Sequence, residues 1–171
     1  MAALWEAQRS GRGQVVDAAM VDGVGLLSSL LHSLRAAGGW SDAPAQNFFL
    51  HSSPFYDCFE CADGRFVSLG ALEPQFYAEL LQRLGLVDVD PTEQQDRRQW
   101  PALRERVAAR IREKTCDEWT ALLEGTNVCF APVLTLAEAP LHPHAQARGS
   151  FLQTADGHWQ PASAPRFSRN R

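Results

Sequence analysis

Apolar positions recur along this chain in blocks whose period changes, and each block predicts an element. Met1 to Arg9 is good helix-forming sequence with no capping residue before it, and it stops at Ser10-Gly11, as helices stop at glycine. A helix that opens uncapped predicts a chain that begins in mid-domain. Gln14 to Ala19 is short and β-rich at its front and predicts a buried strand. Val21, Val24, Leu27, Leu31 and Leu34 then fall at helical spacing, widened by Leu26 and Leu30, and predict one helix ending at Gly38-Gly39. Residues 41–53, with Pro44, Asn47 and several serines, read as a linker. Two β-rich runs, 55–62 and 65–71, flank Asp63-Gly64, the signature of a hairpin with a two-residue loop.

Further on, Pro74 suits the first position of a helix striped by Phe76/Tyr77, Leu80/Leu81 and Leu84 and closed by Gly85. Pro101 opens another, with Leu103, Val107 and Ile111 on one face. Thr115 and Glu118 form a capping-box pattern before Trp119, Leu122 and Leu123, and Thr135 and Glu138 repeat it before a short helix interrupted by Pro140. Val128 to Leu134 reads as a strand, Asp156-Gly157 as a second hairpin, and 161–171 as an extended polar tail. The fold class is mixed α/β.

Composition narrows the function classes. With 16 basic and 20 acidic residues the net charge is −4, which argues against nucleic acid as a partner. All but one of the basic residues are arginine, Lys114 being the exception. The most apolar stretch, Val15 to Leu34, is broken by Asp17, Asp22, two glycines and His32, so it does not read as a membrane span of about 20 apolar residues. No secretion signal opens the chain, and four cysteines in that setting predict reduced thiols in a soluble cytoplasmic protein.

Four groups of side chains invite a chemical reading. Cys58 and Cys61 form a C-x-x-C, but three residues apart in a strand their side chains face opposite ways, so no metal site is expected. Among five histidines, His51 stands out because it precedes the hairpin, where a substrate site can form. His32, His142, His144 and His158 read as packed or loop residues, and no G-x-S-x-G elbow supports a serine hydrolase. Arg97, Arg98, Arg104, Arg106, Arg110 and Arg112 read as a solvated helix face, a phosphate patch being the alternative. Glu73 is the most informative single residue. Placed before Pro74, it is either a carboxylate complementing the helix dipole or one fixed at a strand-to-helix junction for chemistry.

Taken together, the segments 13–20, 53–57, 60–64, 70–77, 131–133 with Glu138-Ala139, and 164–168 resemble the α-methylacyl-CoA racemases of the family III CoA-transferase superfamily. The Gly-Gln-x-x-Asp and Ala-Pro-Val pieces are shared across that superfamily, and Gly-Ala-x-Glu-Pro-Gln-Phe-Tyr marks the racemase branch. The resemblance covers only the C-terminal half of such enzymes. It implies that residues 1–40 are a remnant of a Rossmann-like CoA-binding large domain, 41–53 a linker, 54–145 a small α+β domain and 146–171 a segment returning toward the large domain.

It further implies an isomerase that inverts the carbon beside an acyl-CoA thioester by removing and returning a proton through an enolate, acyl-CoA being substrate and no cofactor being used. The two bases, a His and an Asp, belong to the half outside this sequence. Glu73 corresponds to the Glu that pairs with that His across an interlocked homodimer, and Tyr56 to a residue near the substrate. The chain alone is then expected to be inactive until a complementing N-terminal half is supplied. CoA transfer between carboxylic acids and a non-catalytic dimerising remnant are the alternatives. Where the racemases carry Leu-Asp-Gly-Gly-Ala, residues 49–53 read Phe-Leu-His-Ser-Ser, a departure that bears on acyl-chain specificity.

Overall fold

The computed structural model describes residues 1–43 and 46–169; Pro44 and Ala45 of the predicted linker, and Asn170 and Arg171 of the predicted tail, lie outside the described residues. The chain divides into two units, Met1–Leu50 and His51–Arg171.

Among its described residues the first unit holds three helices: α1 (Ala2–Ser10), α2 (Met20–Leu27) and α3 (Ser29–Ala36). Two expectations are corrected here. Residues 14–19 form no strand, and Val15 and Val16 are exposed; β-branched residues without a neighbouring strand have no ladder to join. The single leucine-striped helix is two, broken at Ser28. The Ser28 hydroxyl donates to the Gly25 carbonyl (2.9 Å) and the Ser29 hydroxyl to the Leu26 carbonyl (2.5 Å), so side chains compete for the acceptors of the last turn of α2. Val21, Val24, Leu26 and Leu27 are all exposed.

The second unit is built on a three-stranded antiparallel sheet, β1 (Tyr56–Glu60), β2 (Phe66–Gly70) and β3 (Phe130–Pro132), in the order β1-β2-β3. The hairpin stands where the sequence places it, but its loop has three residues rather than two. Cys61 N–H donates to the Arg65 carbonyl (2.8 Å), Gly64 N–H donates to the Cys61 carbonyl (3.1 Å), and only Gly64 takes positive φ (+76°). That is a turn closed by a left-handed residue, the usual three-residue solution.

Helices α4 (Pro74–Arg83), α5 (Trp100–Ile111) and α6 (Cys116–Leu123) complete this unit, followed by α7 (Pro143–Arg148) and a small hairpin of β4 (Phe151–Gln153) and β5 (Trp159–Pro161). Phe55, Phe59, Val67 and Leu69 from the hairpin meet Tyr77, Leu80, Leu81, Trp100, Val107, Ile111 and Trp119 in the core. Both buried indoles are satisfied, Trp100 Nε1 by the Gln94 carbonyl (2.9 Å) and Trp119 Nε1 by the Ile111 carbonyl (2.7 Å). The capping boxes read from sequence are both formed. Thr115 and Glu118 exchange side-chain and backbone bonds at the start of α6, and Thr135 and Glu138 do the same before a 3-10 turn. Among the described residues no helix is long and apolar enough to cross a membrane.

Candidate functional site

The junction between β2 and α4 is held by backbone bonds and one buried amide. Ala71 N–H donates to the Phe55 carbonyl (3.0 Å), and Leu72 N–H to the Gly70 carbonyl (2.8 Å). The side-chain amide of Gln94, itself buried, donates to the carbonyls of Ala71 (3.1 Å) and Leu72 (3.0 Å). Glu73 follows in extended conformation, and its carbonyl accepts from the N–H groups of Phe76 and Tyr77 at 3.0 Å each, starting α4. Its carboxylate is exposed and forms no cap hydrogen bond with its own helix. The scaffold therefore fixes the backbone of Glu73 and leaves its acid group for something else to contact, at the positive end of a helix.

Beside this junction lie Tyr56, Gly70 and Cys129. Tyr56 pairs with Gly70 across the hairpin. A Cβ at Gly70 would sit 3.5 Å from the Cys129 carbonyl oxygen and 3.9 Å from Tyr56 Cε2, so the tyrosine ring and the turn into β3 close over the glycine. Cys129 has φ of +52°. Partial desolvation and then the nearby Glu73 carboxylate push its thiol up. Glu73 and Tyr56 thus border one cluster.

His51 goes elsewhere. Its Nδ1 lies 2.5 Å from Asp57 Oδ1, and Asp57 Oδ2 accepts from Arg104 Nε (3.0 Å) and Nη2 (2.5 Å). Cys58 N–H donates to Oδ1 as well (2.7 Å). Asp57 occupies the inward row of β1 between Phe55 and Phe59, and its side chain is 1% exposed. Burial alone would raise this carboxyl; hydrogen bonds from His51, Arg104 and Cys58, with the guanidinium charge, outweigh it and hold the group below the ordinary carboxylate range. Asp57 does not stand out in the sequence as a candidate, although the alternation 55, 57, 59 points it inward, and Arg104, read with its neighbours as a solvated helix face or a phosphate patch, is instead its ion-pair partner.

A depressed carboxyl stabilises the fold above its ordinary pKa, and the contribution fades as pH falls through the folded value. The stability gap between the wild type and Asp57→Asn is therefore expected to be full at neutral pH and to shrink below about pH 4. Urea unfolding across that range measures it, and a gap independent of pH would contradict the assignment.

The remaining arginines of the basic region are engaged as well. Arg106 pairs with Asp88 (2.6 Å), Arg112 with Glu60 (3.8 Å), and Arg110 Nε donates to the Leu84 carbonyl at the end of α4 (2.8 Å). Of the C-x-x-C cysteines, Cys58 is exposed and Cys61 buried, as alternation requires. Burial first, then neighbouring Cys116 and Asp63, pushes the Cys61 thiol to about 11. No group of three or more His, Cys, Asp or Glu side chains among the described residues is placed to hold a metal.

Comparison with known proteins gives the class to which this sheet-and-helix chain belongs. The chain belongs to the CoA-transferase family III, whose pattern matches residues 1–171. It is 41% identical over 167 residues to the alpha-methylacyl-CoA racemase of Mus musculus, covering 98% of this chain and 44% of the mouse protein. It is 27% identical over 162 residues to a succinyl-CoA–D-citramalate CoA-transferase of Chloroflexus aurantiacus, covering 91% of this chain and 40% of that protein. A CaiB/BaiF family protein from Brucella suis shares the fold at a TM-score of 0.70 and 21% identity, over 98% of this chain and 45% of the other. The chain spans less than half the length of the curated relatives it matches.

Proposed function

We propose that this chain supplies the carboxylate side of a 2-methylacyl-CoA racemase site, with Glu73 as the positioning residue. The observation that carries the reading is the Glu73 carboxylate: its backbone is fixed by the β2–α4 junction, while its acid group is exposed and makes no cap bond. The identity to a racemase, 41% against 27% for a transferase, supports the isomerase reading over CoA transfer.

In this reading the proton-moving His and Asp are supplied by a segment equivalent to the rest of the relatives' length, in an interlocked dimer or from a complementing half. One base removes the α-proton of the thioester from one face, the charge passes into the enolate, and the other returns a proton to the opposite face. Glu73 pairs with the His, fixes its ring and favours its protonated form, so that the ring both takes and gives a proton. Tyr56, in the same cluster, is a substrate-binding residue. The route moves one proton each way and carries no group on a cofactor.

The test is exchange of the α-hydrogen of a 2-methylacyl-CoA in heavy water. The 171-residue chain alone is expected to show none, and exchange is expected once the N-terminal half of a relative is supplied. CoA transfer to a carboxylic acid without α-exchange would instead establish the transferase reading. Absence of both activities in the complemented assembly would leave a non-catalytic, dimerising role.

A further inference from the structure

His51 is one of two non-glycine residues with positive φ among the described residues, at +53°. That conformation is strained for an L-residue, and here it coincides with an oriented ring. Nδ1 is tied to Asp57, whose side chain is buried and whose two oxygens are occupied by His51, the Cys58 N–H and both Arg104 contacts. The rest of the imidazole is in solvent, the side chain being 81% exposed. Nε2 has no hydrogen-bond partner among the described residues.

The charges give the ligand's sign. Arg104 already balances Asp57, so a protonated His51 leaves one positive charge uncompensated, and it faces outward. Nδ1–H serves Asp57, so in the doubly protonated ring the outward hydrogen-bonding group of this cluster is Nε2–H. We propose that His51, held by Asp57 and Arg104, is a binding group for an anionic oxygen of a ligand, from a carboxylate or a phosphate. Strain at the backbone, a buried carboxylate behind the ring and an open nitrogen in front are the arrangement of a preorganised donor. This does not rest on the reading of Glu73, because Asp57 faces the opposite side of β1 from Tyr56.

The experiment follows the ring signals of all five histidines by NMR at about pH 6. The full chain is titrated with acetate and, separately, with inorganic phosphate, against sodium chloride at matched ionic strength. The His51 signals are expected to move and saturate, while those of His32, His142, His144 and His158 follow the chloride control. Asp57→Asn is expected to weaken the binding about tenfold, the size of one charge-assisted hydrogen bond. In His51→Gly, which suits the positive φ and so keeps the fold, the backbone amide signals of Ser52 and Asp57 are expected to show no saturating shift where those of the wild type do. Saturation with either anion supports the site, and the tighter of the two names the ligand's acid group. A His51 response that never saturates or matches chloride, or an affinity unchanged in Asp57→Asn, would overturn the proposal.

Discussion

In the complemented enzyme, Glu73→Gln is expected to slow exchange of the substrate α-hydrogen by about 10²–10⁴-fold, the usual contribution of one acid–base group. Glutamine keeps the length and hydrogen-bonding capacity of the side chain and removes its charge. The loss should therefore fall on kcat rather than KM, since Glu73 acts on the ring of a base and not on the thioester. The pH profile should also move. Without the carboxylate the partner imidazole gives up its proton at lower pH, so the limb that reports it shifts downward. A merely structural Glu73 would behave otherwise. Exchange would be unchanged, and any effect would appear as a weakened start of α4 in hydrogen exchange or unfolding. The two outcomes are separable because the carboxylate forms no cap bond whose loss could be mistaken for a catalytic effect.

The largest effect on stability is expected at Phe55. Its side chain is fully buried and meets Tyr77 and Trp100 edge-to-face, with centroids 5.4 and 5.7 Å away. One ring thus joins the start of the hairpin to α4 and α5. Phe55→Ala removes its transfer free energy, leaves a cavity and breaks both aromatic contacts, a loss of about 3–5 kcal/mol. That is a large fraction of the roughly 5–15 kcal/mol that holds most domains together. Urea unfolding should show a much lower midpoint, with Phe55→Leu between it and the wild type. Cys58→Ala, on the exposed row of the same strand, should change stability by no more than about 0.5 kcal/mol. A Phe55→Ala loss below about 1 kcal/mol would mean that the ring is not at the centre of the core.

What the sequence discloses about this molecule is what local chemistry determines. Asp63-Gly64 marks the hairpin because glycine takes positive φ without strain, and Thr115 with Glu118 marks a helix start because both hydrogen bonds lie within four residues. The loop length is less legible, since Asp63 keeps negative φ and the turn closes one residue wider. The break at Ser28 escapes a reading based on leucine spacing, because serine hydroxyls act on backbone acceptors and leave the apolar stripe intact. The strand expected at 14–19 fails for the complementary reason: a strand is defined by its neighbour, which residues 14–19 do not specify. At the candidate site, Glu73 is visible from its place before Pro74. The service of Gln94 and Arg104 is not, because their partners lie 22 to 47 residues away.

The inward carboxylate of β1 also settles how the hairpin can be aligned. Side chains alternate across a strand, so sliding β1 by one residue against β2 would turn Asp57 outward and send Tyr56 and Cys58 into the core. Sliding it by two would keep Asp57 inside but carry it away from Arg104, leaving the buried carboxylate with His51 and the Cys58 N–H and without its guanidinium. Only the alignment that sets Asp57 opposite Leu69 leaves both the ring packing and the ion pair intact. A mispaired hairpin therefore forfeits either the ring packing or the contact with α5, and a single acidic residue serves as the proofreader of the sheet.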